Sequence, residues 1–247
     1  MISAGTVGAV AAIVFGSAVV QRAVGFGFAL FAVPLMAFVL PTKSAVVVVF
    51  LAGCVISTWL SFRLRAEVVW PAARVLGVGT AVGAPVGVVV LAVVSAAALR
   101  VVLGLTTCVA ALWIITSARW ATREASPSRS STVALGLAGG VLNTALSTSG
   151  PPLVFALRRA GFHGDRFRAT ISAVFVVANV IGLPALAVAG LITAVDLELA
   201  ATSLVPCVIG MVIGARLGAL MSTAHFTWAV DVLLLATGAL TIIRALG

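Results

Sequence analysis

The sequence predicts an all-α polytopic membrane protein made of two inverted repeats, and three observations carry that prediction. Hydrophobic residues are 62% of the 247 residues, charged residues are 9%, and mean hydropathy is +1.28. A soluble domain holds roughly 45–50% apolar and 25% charged residues, so the surplus apolar surface must face lipid. The apolar residues fall into runs parted by short polar stretches, and the second half of the chain repeats the plan of the first. Each repeat reads as a pair of short interrupted or re-entrant segments followed by three transmembrane helices.

The first run, 4–21, lacks the basic start and small-residue cleavage site of a signal peptide, so it is expected to be retained. It leads into "QRAVGFG", Gln21 to Gly27, and the next run, 25–40, ends at "LPTK". Gly25 and Gly27 allow the backbone to turn, so the two runs form an interrupted pair, with a half-helix expected from Phe26. Runs 44–62, 70–94 and 97–117 approach or exceed the ~20 residues of a spanning helix. "SARWATREASPSRSST", Ser117–Thr132, is rich in Ser and Arg, contains Pro127, and reads as a linker. The repeats are therefore placed at 1–117 and 131–247, with the linker at 118–130.

The second repeat holds runs 131–146, 151–160, 168–190, 197–220 and 226–246. The 151–160 run ends in Arg158-Arg159 and is too short to cross alone. Ahead of it stands "NTALSTSGPP", Asn143–Pro152. Ser and Thr before Gly-Pro-Pro suit a helix start, because proline is tolerated in a first turn. "GTAVGAPVG" (Gly79–Gly87) matches "GMVIGARLG" (Gly210–Gly218), which aligns Gly79, Gly83 and Gly87 with Gly210, Gly214 and Gly218 at an offset of 131. Glycines four apart share one helix face and let a neighbouring backbone come close. Pro85 and Pro184 fall within helices, where proline bends the rod.

Five segments per repeat is an odd number, so the second repeat is inverted. Inverted repeats with paired interrupted segments are a plan of secondary transporters, with the site where the broken pieces meet. The basic residues agree with this parity. Arg63, Arg65, Arg74, Arg119, Arg123, Arg129, Arg158, Arg159, Arg166, Arg168 and Arg216 fall on one side, and Lys43, Arg100 and Arg244 on the other, with Asp196 and Glu198 in a turn there. The rich side is cytoplasmic by the positive-inside bias. This puts the linker inside and both termini outside.

The net charge of +9 is thus a topology signal rather than a footprint for nucleic acid. Cys54, Cys108 and Cys207 lie in apolar runs without metal-ligand spacing and read as packers. His163 and His225 lie in polar turns. No acid, base and nucleophile cluster together, so the sequence points to no enzyme, no metal and no cofactor; it leaves a homo-oligomer open. Asp231 is the one acid inside an apolar run. Near a cytoplasmic end, pairing with Arg216 or solvent is preferred to proton carriage.

Asn143, Thr144, Ser147, Thr148 and Ser149 would be costly facing lipid. A helix start there, with its positive dipole end, would favour an anion, and the Gln21–Gly27 break offers a second such end. Asn179, within "SAVFVVANVIGLP", needs a partner in substrate or in another helix. Ser57 and Thr58 stand at a comparable place in the first half and are expected to bond back to helix carbonyls. Arg22 has two readings. It faces the anion if the first helix is tilted or displaced. If that helix stands upright, its eighteen residues span about 27 Å and Arg22 is a cytoplasmic anchor.

"GFGFALFAVPL" followed by "PTKSAV", and "SGPPLVFALRRAGFHGDRFRATISAVFVVANVIG" after the linker, make the chain similar to the TauE/SafE family. These integral membrane proteins are linked to export or uptake of sulfite and organosulfonates. The resemblance covers nearly the whole chain and is most specific from Ser149 to Asn179. The chain departs from many members at Arg22 and at Ser147-Thr148-Ser149, where they have glycines or small residues. The resemblance implies a small anionic substrate carried across a prokaryotic plasma membrane by alternating access, with an anion channel or a non-transporting scaffold as alternatives. The candidate binding residues are Gln21, Arg22, Gly25, Gly27, Asn143, Ser147, Thr148, Ser149, Gly150, Pro152 and Asn179. An arginine suits a sulfonate because its planar fork is always charged and donates in several directions.

Overall fold

The computed structural model describes residues 3–24, 26–120, 128–220, 235–241 and 243. Among them all regular structure is helical. Ten helices follow in order: α1 (Ala4–Val24), α2 (Phe28–Met36), α3 (Thr42–Arg63), α4 (Trp70–Val93), α5 (Ala96–Trp120), α6 (Arg129–Leu146), α7 (Gly150–Arg159), α8 (Gly164–Val188), α9 (Ala194–Thr202) and α10 (Leu204–Leu220). Residues 235–241 are also helical. Among the described residues five stretches are long and apolar enough to cross a membrane: Ala4–Arg22, Thr42–Arg63, Trp70–Val93, Gly164–Val188 and Ala194–Leu217. At 1.5 Å per residue, α2 and α7 reach only about 15 Å, half the hydrocarbon core.

The chain divides into two compact units. One comprises Met1–Ala52, Val94–Ala118 and Ile192–Gly247; the other comprises Gly53–Val93 and Arg119–Leu191. Each draws on both halves of the sequence. On either side of the expected linker, α5 continues to Trp120 and α6 starts at Arg129. Ser128 caps α6 by accepting from the Ser131 N–H at 3.2 Å. Residues 121–127, His225, Asp231 and Arg244 lie outside the described residues, as does most of the 226–246 run.

In the first unit α2 is buried on nearly every side: Phe28, Leu30, Phe31, Ala32, Val33, Pro34 and Met36 are all inside. α1 packs on α10 through small residues. A Cβ on Gly210 would collide with the Phe15 carbonyl oxygen, and one on Gly214 with that of Val19. Asp196 proves to lie in the first turn of α9 rather than in an open turn, and it is 1% exposed. Its carboxylate accepts from the Thr193 N–H (3.0 Å) and hydroxyl (2.7 Å), and from the Ser44 hydroxyl (2.6 Å) on α3. Glu198 is exposed.

In the second unit α4 packs on α6. A Cβ on Gly79, Gly83 or Gly87 would collide with the carbonyls of Val133, Leu137 or Val141, and Gly136 and Gly140 of α6 are equally tight against Leu76 and Thr80. The opposite face of α4 exposes Val78, Val82, Val86, Val89 and Val93, the stripe expected against lipid. The tight glycine face permits cross-helix bonds: the Thr80 hydroxyl donates to Gly136 O at 3.1 Å, and that of Thr144 to Ala84 O at 2.6 Å. At the α7–α8 turn, Arg158 donates to His163 Nδ1 at 2.7 Å and lies over the Phe167 ring at 4.6 Å.

The glycine contacts shift the alignment read from sequence. α2 and α7 begin at residues 28 and 150. Phe15 and Val19 precede the first by thirteen and nine residues; Leu137 and Val141 precede the second by the same counts. Their partners are Gly210 and Gly214 in one unit and Gly83 and Gly87 in the other. By packing partner, then, Gly83 corresponds to Gly210, one helical turn from the pairing of Gly79 with Gly210. A series of glycines four apart looks the same after a one-turn slip, so sequence matching does not fix its register.

Candidate functional site

Both units contain a helix break with an amide seven residues ahead of the second helix. In the first unit that amide is Gln21, 4% exposed, in the last turn of α1. Its Oε1 accepts from the Phe28 N–H at 2.9 Å, so a neutral acceptor caps α2. The turn between the helices needs Gly27, whose φ of 104° is a conformation that L side chains rarely adopt. The half-helix therefore starts at Phe28, two residues later than Phe26. Arg22 lies within α1 rather than after it. It is half-buried, with its Nε out of water. Gly25 lies outside the described residues. One turn before Gln21, the Ser17 hydroxyl is buried without a hydrogen-bond partner among the described residues.

In the second unit the amide is Asn143. α6 ends at Ser147, which takes the left-handed conformation (φ 56°) and is the one non-glycine among the described residues with positive φ. Such a residue stores strain of about 1–2 kcal/mol. The Thr148 N–H then bonds back to Leu142 O at 3.1 Å. Ser149 stands at the N-cap of α7 but makes no side-chain cap. Its hydroxyl instead donates to Asn143 Oδ1 at 2.9 Å.

A directed chain of bonds runs on from there. Asn143 Nδ2 donates to Asn179 Oδ1 at 3.2 Å, Asn179 Nδ2 to Ser57 Oγ at 2.8 Å, and Ser57 Oγ to Gly53 O at 2.7 Å. Ser57, Asn143, Ser149 and Asn179 are all 8% exposed or less. The chain links the start of α7 to α6, α8 and the second half of α3. Each Asn Nδ2 carries a second N–H beyond these bonds. Thr148 is 1% exposed and its hydroxyl has no hydrogen-bond partner among the described residues.

The start of α7 differs from an ordinary anion-binding helix end. Pro151 and Pro152 occupy its first turn, and proline has no N–H. The amide donors there are thinned to Gly150 and its predecessor, so side-chain hydroxyls and amides must provide most of the donors. Pro152 can contribute only an apolar wall. Of the polar residues before Gly150, Thr144 is spent on helix packing. Asn179 finds its partners in Asn143 and Ser57. Ser57 bonds back to its own helix as expected, and also accepts from Asn179, a role that back-bonding alone did not suggest. The available signal was position, since Ser57 occupies the place in the first half that Asn179 occupies in the second. Thr58 is exposed.

Comparison with curated proteins and with solved structures gave no match. A family model described as "Sulfite exporter TauE/SafE" matches residues 9–241, and the chain belongs to that family.

Proposed function

We propose that this protein is a secondary transporter of small anions, sulfite or organosulfonates, working by alternating access around its two helix breaks. Family membership places the chain among membrane transporters of sulfite- and organosulfonate-type anions. The observation that carries the finer reading is the matched construction of the breaks. In each, a buried amide stands seven residues before a half-helix, on a helix packed through glycines at matching positions. Independent loops have no reason to agree in this way. Two repeats, 1–117 and 131–247, related by inversion through a cytoplasmic linker at 118–130, account for it.

The binding set on this reading is Gln21, Arg22, Gly25 and Gly27 from one break and Asn143, Ser147, Thr148, Ser149, Gly150, Pro152 and Asn179 from the other. The Thr148 hydroxyl, the second N–H of each asparagine and the Arg22 guanidinium are donors suited to a tetrahedral or pyramidal oxyanion. Burial strengthens each such bond by lowering the local dielectric. Rocking of one repeat against the other would expose this site to each side of the plasma membrane in turn. Proteoliposomes loaded with unlabelled sulfite should accumulate labelled external sulfite transiently and saturably. Non-saturating flux without counterflow would favour a channel, and absence of flux would favour a scaffold.

A further inference from the structure

We propose a second anion site, separate from the breaks, that holds an amphiphilic anion at the far end of α2. A cavity of about 610 Å³ lies there, within the first unit. Its lining includes Pro34 of α2 and Ala37 just after it, Arg100 from the start of α5, and Thr241 and Ile243 near the end of the chain. Among the described lining residues Arg100 is the only ionisable one. Its Nε donates to the Thr42 hydroxyl at 2.7 Å. This bond fixes the plane of the guanidinium and leaves the two Nη groups, with four N–H donors, for a ligand. Thr241 cannot compete as a donor, because its hydroxyl proton goes to Thr237 O at 2.7 Å.

The end of a helix ordinarily repels anions, but here three of the last four α2 carbonyls are occupied. Val33 O accepts from the Ala37 N–H, Leu35 O from Phe38, and Met36 O from Val39 and Leu40. Size and polarity then select the ligand. At about 610 Å³ the cavity is far larger than sulfite, which has four heavy atoms. Apart from Arg100 and Thr241 the described side chains lining it are apolar. An anionic head on an aliphatic tail satisfies both features: a longer-chain alkanesulfonate, or the phosphate and upper acyl chain of an anionic lipid.

The test is titration of the purified full-length protein, in an uncharged maltoside detergent, with sulfite, butanesulfonate and hexanesulfonate. Affinity for the alkanesulfonates should rise about fourfold per added CH₂. Arg100→Gln should weaken hexanesulfonate binding roughly ten- to a hundredfold while leaving sulfite affinity unchanged. Ala37→Trp keeps Arg100 but fills the cavity, and it should abolish the chain-length dependence. It also decides the matter if Arg100→Gln does not fold. Wild-type hexanesulfonate affinity with intact chain-length dependence in Ala37→Trp would overturn the proposal. Loss of sulfite binding in parallel with hexanesulfonate in both variants would do the same, by merging this cavity with the break site. In nanodiscs, competition by phosphatidylglycerol but not phosphatidylcholine would make lipid the resident ligand; no competition by either would make it the soluble sulfonate.

Discussion

Replacing Asn179 with alanine should destabilise the second unit more than its size suggests. The substitution removes two bonds, from Asn143 Nδ2 at 3.2 Å and to Ser57 Oγ at 2.8 Å. Within membrane helices such bonds average about 0.6 kcal/mol each, or ~1 kcal/mol together. The larger cost falls on the partner left behind. Asn143 is 6% exposed, and its Nδ2 loses its acceptor where water cannot replace it, which adds about 1–3 kcal/mol. Ser57 is not orphaned, since its hydroxyl still donates to Gly53 O. The total is ~2–4 kcal/mol. Removing Asn143 as well takes away the orphan, so the double variant should cost less than the sum of the singles by ~1 kcal/mol or more. Reversible unfolding in mixed micelles measures all three. An Asn179→Ala variant within about 0.5 kcal/mol of wild type, or strict additivity, would show that this chain of bonds does not hold the break.

Three further outcomes follow from other parts of the molecule. Gly83→Ala and Gly214→Ala should each destabilise by about 1–3 kcal/mol, because a Cβ would meet backbone carbonyls, whereas Gly8→Ala, with nothing within 4 Å, should be neutral or slightly stabilising in the same unfolding assay. A cysteine placed at exposed Glu198 should react with an impermeant maleimide in intact cells, and one in the 118–130 linker should not; the reverse pattern would invert the orientation. Arg22→Ala should weaken sulfite binding by roughly ten- to a hundredfold, the loss of a charge-assisted bond, and Arg22→Lys should recover little of it. Near-wild-type binding in both variants would leave Arg22 an anchor.

Most of the helices were legible because lipid-facing surface demands long apolar runs, and the runs at 44–62 and 70–94 match α3 and α4 closely. The two breaks were legible as well, since Gly27 allows a backbone turn and Gly150-Pro151-Pro152 suits a helix start. Three features were not. The glycine register slipped by one turn because the spacing is degenerate. Asp196 looked like surface charge, yet it is buried and accepts from Ser44, more than a hundred residues away in sequence, as well as from nearby Thr193, and periodicity carries no information about such distant contacts. The partner of Asn179 was open for the same reason: a buried amide announces a need, and only the packing of α3, α6 and α8 shows that Ser57 and Asn143 meet it.

The most direct measurement of the central claim is calorimetric titration of sulfite into wild type and Thr148→Val. Valine keeps the shape of threonine and deletes a hydroxyl that is 1% exposed and without a hydrogen-bond partner among the described residues. If the breaks hold the anion, that hydroxyl donates to it. Its loss should then weaken binding by ~1.5–3 kcal/mol, or roughly ten- to a hundredfold. The unliganded protein should be no less stable, because an unsatisfied polar group has been removed from its interior. Unchanged sulfite affinity in a folded Thr148→Val protein would contradict the assignment of the breaks as the anion site.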